Sequence, residues 1–339
     1  MGFAVPRGGV GYLAPEGFLP ELLRELEAVE GVLGRLALCA APPAVQVAGL
    51  PTIVLPATDF PTTVFPAWAQ NIWHDLRVIP FTSIAQAATA LKGLGPRWAL
   101  YDEHLPRRGR ARLIQQRLRG PSSKPLVFGD PLPKHPLGSW TLLDDATLLA
   151  SPRCSSPFAH GEARFVEDKT GPPSRAYLKL WEVFTLLDRR PDPGQLCLDL
   201  GSSPGGWTWV LHKLGARVIS VDKAPLDPRL AGLPGITFRA ESAFAQDPQV
   251  FGPVDWLFSD VVCYPERLLA MVRRWLDAGT VQNMVCTIKF QGATDFQVID
   301  QFRSIPHSRL LHLANNKHEL TWIWGRIQDS EFRIFSPDS

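Results

Sequence analysis

The sequence lacks a large excess of charge of either sign, a long uncharged apolar run and any clustering of its cysteines. Its 339 residues carry a net charge of +2, so a surface that binds nucleic acid would have to be a local concentration of basic residues. No apolar segment is long enough to span a bilayer, and the start of the chain, Met-Gly-Phe-Ala-Val-Pro, contains no apolar leader. These absences predict a soluble, cytoplasmic protein with no membrane partner.

The cysteines are scattered and odd in number, and none lies in a C-x-x-C pattern. This usage predicts reduced thiols and no zinc site, and the sequence predicts no other metal. The five positions are Cys39, Cys154, Cys197, Cys263 and Cys286.

The length exceeds that of a usual single domain and predicts two domains. A segment rich in Pro, Ser and Gly over 151–173 predicts the linker between an N-terminal domain over 1–150 and a second domain over 174–330. The N-terminal domain is expected to be the smaller and of α+β type. Its predicted strands are 9–14, 34–40, 45–49 and 52–55, and its predicted helices are 18–30, 68–76 and 82–93. Nothing in the sequence indicates an obligate dimer, so a monomer is expected.

A locally basic segment covers 97–124, where eight basic residues face only Asp102 and Glu103. Two interpretations stay open, a solvated helix face and a surface that contacts RNA phosphates. The candidate RNA-binding residues are Arg107, Arg108, Arg110 and Arg112.

From Ser174 onward the pattern alternates between helix and strand. Ser174 is predicted to cap a helix that runs to about Asp188. Strands are predicted at 195–200, 217–222, 236–239, 255–259, 284–290, 310–314 and 320–327, with helices at 206–214, 264–276 and 294–303. Alternation of this kind predicts a mostly parallel sheet covered on both faces. The last two strands are joined by too short a connection for a parallel crossover, so they should pair antiparallel.

The strongest local signal is a glycine-rich turn between the strand that ends at Leu200 and the next helix. The turn reads Gly201-Ser202-Ser203-Pro204-Gly205-Gly206-Trp207. It departs from the dinucleotide pattern G-x-G-x-x-G at Ser203 and lacks the Gly-Lys-Ser/Thr of a Walker loop, so it suits a ligand without phosphates. Asp222, at the end of the next strand, could accept hydrogen bonds from both ribose hydroxyls of an adenosine, and Glu241 could reach the adenine.

The segment Asp199-Leu200-Gly201-Ser202-Ser203-Pro204-Gly205-Gly206-Trp207-Thr208 resembles the cofactor loop of the FtsJ-like ribose 2′-O-methyltransferases. That resemblance implies a Rossmann-like class I methyltransferase domain, with a seven-stranded, mostly parallel sheet and an antiparallel last strand. It also implies S-adenosylmethionine as the cofactor, bound by 201–207, Asp222, Glu241 and Asp260, and RNA as the partner.

Within the family, the chain is closer to the RlmM type, which methylates a cytidine ribose in bacterial large-subunit ribosomal RNA. The similar segments are 174–180, 268–276 and 318–321, and the resemblance is specific over about 154–327. Over 1–150, where that type carries an RNA-binding THUMP module, the similarity is confined to 12–18. The N-terminal domain is accordingly expected to be a reduced, THUMP-like RNA-binding domain.

The resemblance also implies a catalytic tetrad made of Lys179, Asp260, Lys289 and Glu319. A ribose hydroxyl is a poor nucleophile, so a neighbouring base must take its proton during attack on the methyl group. Burial and a second cation both favour the neutral, basic form of a lysine. In this interpretation Asp260 orients Lys289, and Glu319 holds Lys179 and the ribose.

The sequence argues against one alternative and leaves two others open. The Asn/Asp-Pro-Pro-aromatic loop of amino-methylating enzymes is replaced here by Ser259-Asp260-Val261-Val262-Cys263, which argues against an amino target. The substrate could be another RNA, such as tRNA or mRNA. The chain could also be a degenerate RNA-binding protein that keeps the fold without the activity.

Overall fold

A computed structural model describes residues 8–40, 65–122, 124–132 and 135–325. The chain divides into two compact units, of which the first runs to Arg164 and the second begins at Phe165. This boundary falls inside the segment 151–173 that the sequence predicts as a linker. Among the described helices, none combines the length and the apolar character needed to cross a membrane.

The first unit is of α+β type, as predicted. Its strands form one sheet in the order β2-β3-β1-β4-β9 and another in the order β5-β8-β7-β6. The strands are β1 (Val10–Leu13), β2 (Val29–Leu33), β3 (Leu36–Cys39), β4 (Asn71–His74), β5 (Arg77–Pro80), β6 (Trp98–Leu100), β7 (Gly138–Asp144), β8 (Thr147–Ser151) and β9 (Arg153–Cys154), and the helices are α1 (Leu19–Glu25), α2 (Ile84–Leu94) and α3 (Gly109–Gln115).

Helix α2 shows how local sequence and packing agree in this unit. The Ser83 hydroxyl accepts a hydrogen bond from the backbone N–H of Gln86, which satisfies one of the free donors at the start of the helix. The face that carries Ala87 and Leu91 is buried, and it packs into a core that includes Trp98.

Two predicted helices of this unit are wrong in whole or in part. The predicted helix 18–30 ends at Glu25, and its last residues belong to β2. The predicted helix 68–76 contains β4, a strand that pairs with both β1 and β9. Asn71, Ile72 and Trp73 are consecutive and all buried, and a strand buried on both faces lacks the alternation that identifies a strand. The predicted strands 45–49 and 52–55 lie outside the described residues.

The second unit has the α/β architecture that the sequence predicts. Its strands are β10 (Leu196–Leu200), β11 (Arg217–Asp222), β12 (Ile236–Ala240), β13 (Val254–Ser259), β14 (Val281–Lys289), β15 (Ser308–Leu311) and β16 (Glu319–Gly325), and its helices are α4 (Tyr177–Leu187), α5 (Gly206–Lys213), α6 (Pro248–Phe251), α7 (Pro265–Ala278) and α8 (Phe296–Arg303). The seven strands lie in the order β12-β11-β10-β13-β14-β16-β15. The first five run parallel, and β16 is antiparallel to both of its neighbours. The Rossmann-like fold with an antiparallel last strand is therefore confirmed.

One detail of the second unit differs from the prediction. Helix α4 begins at Tyr177 and is preceded by Ala176, so Ser174 does not cap it with its side chain. The hydroxyl of Ser174 instead lies where a side chain at Gly206 would be, at the start of α5. Two residues, Arg175 and Ala176, separate Ser174 from the helix.

The sheet topology gathers several polar residues at one edge. In a parallel sheet the carboxyl ends of all strands meet at the same edge, and ligands bind there. Asp222 ends β11, Asp260 follows β13 and Lys289 ends β14. Because β16 runs the other way, its first residue, Glu319, lies at this edge too and is the cross-strand partner of Lys289.

A pair of glycines in the first unit tests the close packing around β4. Gly17 and Gly161 both have positive φ, +83° and +78°, but only at Gly161 would a Cβ overlap the backbone oxygen of Gln70. Gly17→Ala should cost about 1–2 kcal/mol of unfolding free energy from left-handed strain alone. Gly161→Ala should cost an additional ~1–3 kcal/mol from overpacking. Denaturant unfolding of both variants measures the difference, and equal losses would contradict the close approach.

Candidate active site

The second unit brings Lys179, Asp260, Lys289 and Glu319 into one connected cluster. The Lys179 ammonium lies 2.7 Å from Asp260 Oδ1 and 3.1 Å from Glu319 Oε1. The Lys289 ammonium lies 3.1 Å from the same Asp260 Oδ1. All four side chains are at most about one-fifth exposed, from 8% for Lys179 to 19% for Lys289.

Asp260 is the hub of this cluster. One of its carboxylate oxygens accepts a hydrogen bond from Lys179 and forms an ion pair with Lys289, and its backbone oxygen accepts a hydrogen bond from Lys289 Nζ at 2.6 Å. The carboxylate offsets the repulsion that would otherwise separate two half-buried lysines. A hydroxyl bound beside Lys289 would meet an amine held in place by two contacts to the same residue.

The glycine-rich turn after β10 passes very close to the loop that follows β13. Gly201 has φ +80°, and a Cβ there would lie 2.5 Å from Val261 Cβ, so the position requires glycine. The peptide bond between Ser203 and Pro204 is cis. The backbone N–H groups of Ser203 and Ala224 donate to the two carboxylate oxygens of Asp222 at 3.0 and 2.9 Å. Asp222 thus holds the turn against the end of β11.

A cavity of about 190 Å³ opens beside this turn. Residues from the ends of β10, β11, β12 and β13 line it, together with the first turn of α7. The lining residues are Gly201, Asp222, Lys223, Ser242, Ala243, Phe244, Val261 and Arg267. The Arg267 guanidinium lies 4.0 Å from the centre of the Phe244 ring, which fixes both side chains at the rim.

Two of the predicted cofactor residues line this cavity, and the others are not among its lining residues. Gly201 and Asp222 line it, and the remaining residues of 202–207 continue the turn into α5. Glu241 is not among the lining residues, and its carboxylate accepts from Gln246 Nε2 at 2.9 Å. Sequence reasoning missed Lys223, 242–244, Val261 and Arg267. All but Arg267 lie just after a predicted strand end, which was the available signal, whereas Arg267 lies in the predicted helix 264–276.

The donors and acceptors of this cavity suit an adenosine-containing cofactor such as S-adenosylmethionine. Ser202 follows the lining residue Gly201 but is not itself among the lining residues; it is 5% exposed, and its hydroxyl is buried without a hydrogen-bond partner. The Asp222 carboxylate uses two of its roughly four lone-pair positions on backbone N–H groups, which leaves acceptors for ribose hydroxyls. The residues present therefore fit the group that the family resemblance implies.

A buried acid lies beneath the turn. Asp199 accepts a hydrogen bond from Thr208 Oγ1 at 2.6 Å, and that hydroxyl is 2.7 Å from Ser220 Oγ. This connection ties β10 to α5 and β11. Burial raises the pKa of Asp199 to about 7, and the negative charges of Asp260 and Asp222 act in the same direction.

The basic segment of the first unit is partly neutralised by its own acids. Arg108 and Arg112 lie 3.9 and 3.3 Å from the carboxylate of Asp102. The Arg110 guanidinium lies over the Phe81 ring at 5.2 Å. Arg107 is exposed, and 61% of the Arg112 side chain is accessible. Positively charged side chains are therefore exposed on this surface, and Asp102 lowers the net positive charge of the surface.

The five cysteines are all unpaired. Within the described ranges, no group of three or more His, Cys, Asp or Glu side chains is arranged to hold a metal ion.

Comparison with known proteins agrees with the resemblance seen in the sequence. Residues 172–317 match the family model of the FtsJ-like methyltransferases. The Ribosomal RNA large subunit methyltransferase M of Halorhodospira halophila is 42% identical over 169 residues, which are 48% of this chain and 49% of the relative. The enzyme of the same name from Methylococcus capsulatus is 33% identical over 163 residues, 47% of this chain and 46% of the relative.

The chain spans about half the length of the curated relatives it matches. Among solved structures, TrmN from Thermus thermophilus is 12% identical and covers 94% of this chain and 99% of its own, with a TM-score of 0.37. The similarity to the FtsJ-like family, and to its RlmM type, is confirmed for the second unit.

The buried acid beneath the turn predicts a pH dependence of stability. The folded pKa of Asp199, about 7, lies above its ordinary 3.8, so the folded protein binds an extra proton between those values. The free energy of unfolding should therefore fall as the pH rises through this window. Asp199→Asn should remove that part of the slope, whereas the exposed Asp192→Asn should retain it. Denaturant unfolding at about pH 4 and about pH 8 measures both, and parallel curves for wild type and Asp199→Asn would refute the assignment.

Proposed function

We propose that the second unit transfers the methyl group of S-adenosylmethionine to a ribose 2′-hydroxyl of RNA, with large-subunit ribosomal RNA as the substrate. The observation that carries the proposal is the cluster of Lys179, Asp260, Lys289 and Glu319. Its members are linked by contacts of 2.7 to 3.1 Å, and they lie at the same sheet edge as the cavity beside Gly201. The similarity to named ribosomal RNA methyltransferases supports the choice of substrate.

In this proposal the Gly201 turn, Asp222 and the hydroxyl of Ser202 hold the cofactor. S-adenosylmethionine supplies a methyl group on a positively charged sulfur, which is a good leaving centre. Asp260 contacts both lysines, and the residue that follows it, Val261, lines the cavity. Its negative charge therefore favours the cationic end of the cofactor at the point where the acceptor oxygen must approach.

Lys289 Nζ is the proposed base for the 2′-hydroxyl. It must be neutral to take that proton, and the two contacts to Asp260 orient its lone pair. The Lys179 ammonium, held by Asp260 and Glu319, then favours the negative charge that develops on the attacking oxygen. When Lys289 is neutral, the cluster contains the carboxylates of Asp260 and Glu319 and only one ammonium, that of Lys179. The cluster then has a net charge of −1, which favours the positively charged sulfur of the cofactor.

The basic surface of the first unit is proposed to bind the RNA backbone. Arg107 and Arg112 are exposed there, and phosphate contacts supply affinity without reading sequence. The cytoplasmic location and the monomeric state stay predictions. A different RNA substrate, or an inactive RNA-binding role, would be the outcome if the transfer assay fails with ribosomal RNA.

The base assignment is tested by changing Lys289. Lys289→Ala should lower the rate of methyl transfer from radiolabelled S-adenosylmethionine to unmethylated ribosomal RNA by about 10²- to 10⁴-fold. Lys289→Arg keeps the cation but cannot release its proton, so it should be equally inactive. The product of the wild type should resist alkaline cleavage at the modified nucleotide. An active arginine variant would show that Lys289 contributes charge alone.

The RNA surface is tested by charge reversal. Arg107→Glu together with Arg108→Glu should weaken RNA binding and reduce its salt dependence, because fewer phosphate counterions are released. The affinity for S-adenosylmethionine, measured by calorimetry, should stay unchanged because the second unit is untouched. Equal losses in both affinities would indicate misfolding, and unchanged RNA binding would assign these arginines to a solvated helix face.

A further inference from the structure

Glu182 is a fully buried acid one helical turn after Lys179. Both residues lie on α4, and Glu182 is 2% exposed. Its two carboxylate oxygens accept from the backbone N–H of Ala314 at 2.9 and 3.1 Å, and Asn315 hydrogen-bonds it as well. The cost of burying this acid is thus met by donors from a distant part of the chain.

Those donors belong to the segment 312–318, which joins β15 to β16 and leads directly to Glu319. Other contacts shape the same segment. Asn316 Nδ2 donates to Thr321 Oγ1 at 3.2 Å, and His312 Nε2 lies 3.0 Å from the backbone oxygen of Lys317. These contacts are internal to the hairpin, whereas the Glu182 contacts attach it to α4.

Helix α4 therefore holds the hairpin at two places. Lys179 contacts Glu319 itself at 3.1 Å, and Glu182 contacts the backbone five residues earlier. Residues three apart on a helix lie on the same face, so both contacts come from one side of α4. A side chain that could not accept would leave the partly buried Ala314 N–H without this partner, which would weaken the attachment of the hairpin to α4.

We propose that Glu182 is a positioning residue, which attaches the segment 312–318 to α4 and thereby sets Glu319 at contact distance from Lys179. Glu182 contacts neither of the proposed substrates. This inference rests on the proposed function in one respect, namely that Glu319 and Lys179 act in methyl transfer. Burial raises the pKa of Glu182 to about 8. A glutamine keeps an acceptor oxygen for the Ala314 N–H and is therefore a close chemical substitute.

Three variants of the full chain separate this role from general stability. Glu182→Leu keeps much of the volume but removes the acceptor, and Glu182→Gln keeps an acceptor oxygen at the same reach. Thr185→Ala is the matched control, because the Thr185 hydroxyl donates to Trp181 within α4 at 2.8 Å and is not part of the attachment. Glu182→Asp retains the carboxyl with one methylene less and replaces the leucine variant if that variant does not fold.

Two measurements are made on each variant. Amide hydrogen exchange of 312–319 reports on the attachment without any reaction, and steady-state methylation separates kcat from KM for RNA. We expect Glu182→Leu to exchange faster over 312–319 and to lose kcat by about tenfold to a hundredfold, with KM within about twofold. Glu182→Gln should restore both to within about threefold, and Thr185→Ala should match the wild type.

Several outcomes would overturn the proposal. Unchanged exchange over 312–319 in the leucine or aspartate variant would show that Glu182 does not hold the segment. Faster exchange with unchanged kcat would show that the attachment does not position Glu319 for the reaction. Equal losses in Thr185→Ala would assign the effect to α4 as a whole. A wild type without methyl transfer would refute the proposed function, and the exchange data would still decide whether Glu182 attaches the segment.

Discussion

The shared acceptor at Asp260 is the interaction on which the site depends. Two lysines, from α4 and from β14, both lie within 3.1 Å of one carboxylate oxygen. Without that negative charge, two poorly exposed ammonium groups would repel one another in a region of low dielectric. Asp260 can play this part because β13 ends at Ser259, so that the carboxylate lies at the sheet edge while the next residue, Val261, lines the cavity beside the glycine turn.

The direction of one strand completes the arrangement. The carboxyl ends of five parallel strands lie at one edge of the sheet. If β16 also ran parallel to them, its first residue, Glu319, would lie at the opposite edge. Strand β16 runs antiparallel to β14, so its first residue faces the last residue of β14. The reversal brings an acid from the C-terminal part of the chain beside a lysine from the first helix of the unit, 140 residues away in sequence.

Three buried or half-buried acids support this edge in different ways. Asp222 holds the glycine turn through the backbone N–H of Ser203, and Asp199 links β10 to the helix and strand that follow. Glu182 attaches the hairpin that carries Glu319. Burial raises the pKa of both Asp199 and Glu182, which marks them as costly to ionise. The hydrogen bonds that each acid accepts, from Thr208 to Asp199 and from Ala314 to Glu182, offset the cost of burying it.

The sequence by itself determined the α/β order of the second unit, the glycine turn and the four candidate residues of the tetrad. The first two depend on local signals, namely strand and helix periodicity and a short motif, which survive without knowledge of the tertiary structure. The four tetrad residues were implied by the resemblance to the FtsJ-like enzymes. The same local reasoning failed at β4, since a short strand buried on both faces has no periodicity to distinguish it from a helix. It also missed Phe244, Arg267 and Glu182, because cavity walls and the attachment of one element to another are made by residues far apart in the chain. Only the tertiary structure decided those contacts, since burial and hydrogen-bond partners are properties of the packed chain.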